Sequence, residues 1–496
     1  MLRLIACLLL TAAAIAQLPL PQRYRDAGVL RWGSDAEGGA PFVFLHPKQP
    51  DRGEIGFEVD LAQELGALFG VRMELVQTPD ANLVQAVQRG DCDLAMNGLE
   101  PTEERRAHVR FTRPYYIFMQ QLSVGPGVTG VRTLDDCKGR RVGVLGESLS
   151  QKLLEERGDV EVVVYESNVL AYQDVVNGRT YASLADLPIA RALARGLAVV
   201  DLRPMFPELQ DVGEPFHPFY YAIAVKQEAA DLQQALDQAL GVLFSNGTLE
   251  RIYRKWDLWV DAEKRLGDAD VIAASQGEGT NELQWGPSLR LLGQGALRTF
   301  LISVASFVLA VLLGLVVALA RLHGPAPVRW CALAYVEVLR GTPILVQMLL
   351  LYYGLAEIGL NLDAVAAGIL GLSLNYAAYE AEVYRGALSA IPREQREAAL
   401  ALGCTGAQTL RYVVVPQALR LSLAPSTNDF IALFKDSSIL MVITVVELTK
   451  QYNMLAQSSG RFIALGLVTS ALYLAMSLPL AWAARRFERR LDRDHA

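Results

Sequence analysis

Two kinds of hydrophobic pattern divide this chain. From residue 24 to about 285 the apolar positions come in short runs, whereas from 297 to 484 they gather into long uncharged stretches. In the first part VLRW at 29–32 reads as a short strand. Residues 57–69 then place Val59, Leu61, Ala62, Leu65 and Phe69 at helical spacing. Residues 71–76 are strand-like, 81–89 helical and 91–96 strand-like again. This alternation predicts an α/β domain with a mostly parallel sheet. The rhythm is lost at 257–284, where ASQGEGTNELQ has a tether composition, so a linker is predicted at 259–288. Beyond it the pattern predicts an all-α region of about five spans: 299–320, 341–356, 364–379, one starting near 421, and 462–484. Each suits a hydrocarbon layer of ~30 Å. The fourth is interrupted by Lys435 and Asp436, charges that at membrane depth must be paired or face water, which makes them candidates for the membrane pathway.

Composition sharpens this division. A length of 496 residues predicts two or three domains, and 52% hydrophobic against 20% charged residues points to part of the chain in lipid. A net charge of −7 gives no sign of nucleic-acid binding. Residues 1–16 read as a secretory signal, with Arg3, an apolar core at 4–13 and Ala14-Ile15-Ala16 as the cleavage site. Of the five cysteines only Cys92 and Cys137 would meet an oxidising compartment, and buried free thiols are expected of both. No metal and no cofactor is expected. Lys and Arg are concentrated after the first span (Arg321, Arg329), after the third (Arg385, Arg393, Arg396, Arg411, Arg420) and in the tail (Arg485, Arg486, Arg489, Arg490). By the positive-inside rule those loops and the C-terminus are cytosolic and residues 24–258 lie outside.

One of the cytosolic loops carries the most specific motif. EAALALGCTGAQTLRYVVVP at 397–416 resembles the EAA loop of ABC importer permeases, with Glu397, Ala398, Ala399, Gly403 and Pro416 matching and Val413 and Val415 standing for Ile and Leu. Residues 394–402 form a good helical run that Gly403 can end. A second run, 407–415, is expected to stop at Pro416. The resemblance implies that the loop, 391–416, docks into an ATPase subunit through Glu397, Ala398, Ala399 and Gly403. The segments VEVLRGTPILVQMLLLYYGL, AAYEAEVYRGALSAIP and NDFIALFKDSSIL are similar to permeases for histidine, glutamine and arginine.

The first domain resembles the periplasmic binding proteins for polar amino acids, built as two lobes. GFEVDLAQEL at 56–65, NGLEPTEERRAHVRFTRPYY at 97–116, VGV at 142–144, ADLP at 185–188, FYYAIAVKQ at 219–227 and NGTLERIYRKW at 246–256 occur in that family's order. The resemblance implies a solute-binding domain at 24–258, with lobe 1 at about 24–120 and 218–258 and lobe 2 at about 121–217. It places Asp35, Phe42, Gly98, Glu100, Arg105, Ser148 and Asp186 at the ligand. A guanidinium meets a carboxylate with two charge-assisted bonds, which suits Arg105 to a ligand carboxylate, and Asp186 falls where the family holds the ammonium. Three departures stand out. Glu100 replaces a Thr or Ser and either competes for Arg105 or helps hold an ammonium. Gly38-Gly39-Ala40 replaces an aromatic wall. The loop Gly146-Glu147-Ser148 is one residue short. With Asp35, Glu37 and Glu100 the cleft is acidic, which favours a cationic side chain.

Together these features predict a binding-protein/permease fusion in the cell inner membrane, taking up polar and possibly basic amino acids or related amines. No G-x-x-x-x-G-K-[ST] loop occurs in these residues, so hydrolysis is expected from a separate ATPase pair serving a homodimer of this chain. A ligand-gated channel, a sensor and an enzyme on the same lobes are the alternatives. The spans follow the finished lobes instead of interrupting them, and no TVGYG-like filter is present. A sensor would carry a signalling domain after the last span, where residues 485–496 stand.

Overall fold

The computed structural model describes residues 18–36, 39–146, 148–276 and 285–493. The signal at 1–16, together with Glu37, Gly38 and Glu147, lies outside the described residues. The chain forms two compact units that part near residue 282.

Among the described residues of the first unit ten strands occur: β1 Val29–Ser34, β2 Phe44–Leu45, β3 Glu54–Ile55, β4 Arg72–Gln77, β5 Leu94–Ala95, β6 Val109–Val124, β7 Arg141–Leu145, β8 Glu161–Tyr165, β9 Ala182–Asp186 and β10 Gln210–Lys226. Eight of them form one sheet in the order β4-β1-β5-β10-β6-β9-β7-β8, and β2 pairs with β3. The outer strands are parallel within each half, as the alternation predicts. The two central strands are antiparallel to each other and to their neighbours, which makes the sheet mixed.

These central strands, 16 and 17 residues long, are what joins the lobes. β10 meets β5 through Ala224 and Val225, while β6 meets β9 through Gln120–Val124. Between those contacts the β6–β10 register shifts four times, around Phe216, Pro218 and Ala222. Pro114 and Pro218 lack the N–H a regular ladder needs, so the irregularity follows from the sequence. Helix Phe57–Phe69 lies over this region and presents Phe57, Leu61 and Leu65 to a core of Tyr115, Tyr116, Tyr221 and Tyr253. Cys92 and Cys137 are buried and free.

The predicted linker differs from the structure in its first half. Residues 261–265 and 269–275 form short helices, with Leu258, Leu266 and Val271 each 1% exposed in the core of this unit. Glu263 is fully buried and accepts the Ile117 N–H of β6 at 3.2 and 3.3 Å, while Arg113 donates to the Leu266 carbonyl at 3.0 Å. Three widely spaced apolar residues are too sparse a pattern to distinguish such docking from a tether. Residues 277–284 lie outside the described residues.

In the second unit, helix Trp285–His323 packs along helix Ala364–Ala390. The contact uses small residues: a Cβ on Gly314 would come within 2.6 Å of Glu380 Cβ, and Ser373 donates to the Ser306 carbonyl at 3.1 Å. Small residues at such spacing let helices approach closely where no water drives them together. Among the described residues, two helices can cross a membrane by length and composition, Trp285–His323 and Phe462–Pro479, or three if the bent pair Ala326–Gly341 and Ile344–Glu357 counts as one. The predicted second span, 341–356, therefore straddles a break: the pair bends by 110° at Thr342-Pro343, where proline disfavours helix in the residue before it. Helices Ala364–Ala390 and Val415–Asp436 are long enough but more polar, and the first buries Ser373, Asn375 and Glu380.

Burial holds the Glu263 carboxyl well above the usual carboxylate range. A neutral amide should therefore replace it well. Glu263→Gln is expected to change the stability of the first unit by less than about 1 kcal/mol, whereas Glu263→Ala, which orphans the Ile117 N–H, should cost about 1–3 kcal/mol. Thermal unfolding of the two full-length variants checks the difference.

Candidate functional site

The two strands that join the lobes also deliver the side chains between them. Asp186 ends β9, where Gln120 of β6 donates to its Oδ1 at 2.9 Å and the Tyr221 hydroxyl of β10 donates to its Oδ2. Burial pushes its pKa up to about 6. Across from it the loop after β5 carries Asn97, Gly98 and Glu100. Gly98 has φ +61°, and a Cβ there would meet the Phe42 ring at 2.6 Å. Phe42 itself packs on Phe57 and Tyr221 with centroids 5.4 and 5.5 Å away. It fixes the loop from below.

Glu100 is 4% exposed and sits at the convergence of both lobes. Its carboxyl accepts the backbone N–H of Leu149, the first residue of helix Leu149–Arg157 in lobe 2, at 3.1 and 3.3 Å. Arg105 Nη1 lies 3.8 Å from Glu100 Oε2 and donates to the Glu100 carbonyl at 3.3 Å. Burial, and then the nearby Asp186 charge, push Glu100 up to about 8, against the opposing pull of Arg105. Arg105 is presented by the short helix Glu103–Arg106, capped by Thr102. Ser148 caps helix Leu149–Arg157, accepting from Gln151 N at 3.2 Å.

The structure thus brings Phe42, Gly98, Glu100, Arg105, Ser148 and Asp186 into one region. Asp35 plays a supporting part, accepting from Gln77 at 2.9 Å and from Asp80 N at 3.1 Å. Sequence reasoning missed Glu58, Gln120 and Tyr221. Glu58 is fully buried under the Gly98 loop, accepting from Gly98 N at 2.7 Å and from the Tyr115 hydroxyl, and burial pushes it up to about 8. Its position was detectable, because 58, 61, 62 and 65 form one helical stripe and a carboxyl on that stripe must be buried. Gln120 and Tyr221 sit on strands whose irregular pairing hides which face is inside.

The second candidate site is the hairpin at 391–416. Helix Arg393–Ala401 holds Glu397 and Ala398 exposed and Ala399 buried. Gly403 follows at φ +87°, and Cys404 N donates to the Ala399 carbonyl at 3.1 Å, which closes the helix end as the glycine predicts. Thr405 and Gln408 then cap each other's backbone and restart the chain. Contrary to the expectation from its residue type, Pro416 does not stop that run. A wide turn at Leu410–Val414 feeds directly into helix Val415–Asp436, with Pro416 in its first turn, where a missing N–H costs nothing. Leu400, Leu402, Leu410 and Tyr412 are exposed here, Leu402 by 86%. At the far end of that helix Lys435 is exposed, while Asp436 accepts from the Tyr376 hydroxyl at 2.7 Å.

Comparison with known proteins accounts for both units. Residues 30–258 match the bacterial extracellular solute-binding proteins, family 3, and residues 310–493 match the binding-protein-dependent transport system inner membrane component. The glutamine transport system permease protein GlnP of Escherichia coli (strain K12) is 38% identical over 207 residues, 41% of this chain and 94% of its own length. The L-cystine transport system permease protein TcyB of Bacillus subtilis (strain 168) is 33% identical over 204 residues, 41% of this chain and 87% of its own. Among solved structures, an ancestral arginine-binding protein bound to arginine is 29% identical, covering 46% of this chain and 98% of its own, with a TM-score of 0.41. The chain belongs to the inner-membrane permeases of amino-acid ABC importers. In it that permease is fused to a solute-binding domain, and it is a transport protein and not itself an enzyme.

Raised carboxyls give the first unit a pH dependence of defined sign. The folded state holds protons on Glu58, Glu100 and Asp186 that the unfolded chain has released, so stability falls as pH rises from about 4.5 to about 8, with Glu100 responsible for one part of the slope. Glu100→Gln should flatten this slope and stabilise the unit at pH 8.5 by on the order of 1–3 kcal/mol. Thermal unfolding at pH 5 and 8.5 measures it, and an unchanged slope would show that Glu100 is ionised throughout.

Proposed function

We propose that the chain is the capture and membrane-spanning subunit of an ATP-driven importer for a polar amino acid or a related amine, with a basic side chain favoured. The observation that carries this reading is the convergence of Arg105 from one lobe and Asp186 from the other on a single buried point, the Glu100 carboxyl. A ligand that bridges two lobes stabilises their closed arrangement by its differential affinity for it. The relatives' names, with glutamine, cystine and arginine among them, agree with a polar amino-acid class.

In this reading the binding domain lies outside the inner membrane, while the hairpin at 391–416 and the C-terminus face the cytosol, in line with the loops rich in arginine. A pair of separate ATPase subunits supplies hydrolysis. They dock on Glu397, Ala398, Ala399 and the turn at Gly403, where Leu400, Leu402, Leu410 and Tyr412 offer exposed apolar contact. Two copies of the membrane unit form the passage, with Lys435 and Asp436 along it.

Gly403→Val tests the coupling. Its positive φ resists a branched side chain, so the hairpin should be misdirected while the outer domain stays intact. In proteoliposomes with the cognate ATPase, ligand affinity should be unchanged while ligand-stimulated hydrolysis and uptake fall together by at least about tenfold. Normal transport by a correctly inserted variant would remove the hairpin from coupling.

A further inference from the structure

Lobe 2 offers a carboxylate seat, and an internal side chain fills it. The first N–H groups of a helix have no partner within it, and with a guanidinium close by they make a natural site for a carboxylate. In this domain the N–H of Leu149 and the guanidinium of Arg105 form such a site. Ser148 serves the next available donor, Gln151 N. Both oxygens of Glu100 take the Leu149 N–H, and Arg105 Nη1 stands 3.8 Å from one of them. The Glu100 side chain is 6% exposed, so it is built into the cleft floor and is not a mobile surface group.

Charge bookkeeping then separates ligand classes. Arg105 brings one positive charge, Glu100 a buried carboxyl, and Asp186 a half-buried one whose charge raises the cost of ionising Glu100. Glu58 adds a further buried carboxyl beneath Gly98, with its Oε2 lacking a hydrogen-bond partner. A ligand bearing its own carboxylate would add another anion to this group and would have to displace Glu100 from its donors. A ligand bearing only cationic nitrogen relieves the crowding instead, replacing the shared proton with a fixed charge. The Gln120 amide and Tyr221 hydroxyl hold Asp186 in place for an ammonium.

We propose that this domain takes an organic cation, an amine or guanidine whose α-carbon bears no free carboxylate, because Glu100 permanently occupies the seat that carboxylate would need. The proposal rests on the reading of residues 24–258 as a capture domain and narrows its ligand. Glu100 is then the specificity-determining residue, and Arg105 orients Glu100 instead of clamping the ligand.

Calorimetry on the full chain in nanodiscs, using matched pairs, tests this: agmatine against arginine, cadaverine against lysine, putrescine against ornithine, histamine against histidine and 4-aminobutanamide against glutamine. In any pair that binds, the amine should bind at least about tenfold tighter than its amino acid. Glu100→Thr, which empties the seat, should reverse that order, and Glu100→Gln should at least abolish the preference. If the amino acid binds as tightly as its amine in the unmodified chain, the proposal is overturned. A preference for the amine that survives both substitutions overturns Glu100 as its cause. Should no pair bind and none stimulate ATP hydrolysis by the reconstituted complex, the capture reading itself falls, and the narrower ligand with it.

Discussion

The long strand pair β6 and β10 is the constraint on which the solute-binding domain depends. It carries the Asp186 side of the contact between the lobes, while Glu100 and Leu149 meet beside it. Gln120 and Tyr221 hold Asp186, and Phe118 stacks on Tyr221 with centroids 4.1 Å apart. The pairing is in register at both ends and again in a central run from Pro218 to Tyr221, with shifts on either side of that run, which gives each lobe its own firm edge. Glu263 reads the same place from outside, since its buried carboxyl takes the Ile117 N–H at the crossing. The segment that leaves the domain toward its second unit is therefore tied to the strands that any change of lobe angle must bend.

Charge burial is the second organising feature. Glu58, Glu100 and Glu263 are withdrawn from water and Asp186 is half-buried, and each is held by named donors: backbone N–H groups of Gly98, Leu149 and Ile117, the hydroxyls of Tyr115 and Tyr221, and the amide of Gln120. Such groups are expensive to bury and are tolerated where their partners are fixed. Of these four only Glu100 has an arginine within ion-pair reach, and it is also where the two lobes meet. In the membrane unit the problem is solved differently. Serines and glycines bring helix backbones together, and Asn375 bonds Gln347 at 2.9 Å across two helices.

Much of this was legible in the sequence. The 57–69 helix has the bounds its spacing predicts, because its apolar stripe and the flanking glycines agree. Gly403 ends its helix as its conformational freedom suggests. Legibility failed where a residue's role depends on distant partners. The docked segment at 261–275 looks like a tether because its two buried apolar residues, Leu266 and Val271, are held by distant packing and not by local pattern. Pro416 looks like a stop because the wide turn that accommodates it leaves no trace in residue type. The break at Thr342-Pro343 is signalled by its proline, but the apolar run that follows draws the predicted span across it. Glu100 is recognisable as a departure from the family pattern, but the sequence leaves open whether it meets Arg105. Its contact with Leu149 N requires two lobes to be folded together.

The central claim is that one polypeptide both captures a solute and carries it across the membrane, with hydrolysis supplied by a separate subunit. Uptake into proteoliposomes that hold only this chain and its ATPase tests it most directly. ATP-dependent uptake is expected with no other protein added, half-saturating near the affinity of the solute-binding domain and unchanged by adding a free binding protein. Uptake that appears only when a separate binding protein is supplied would contradict it.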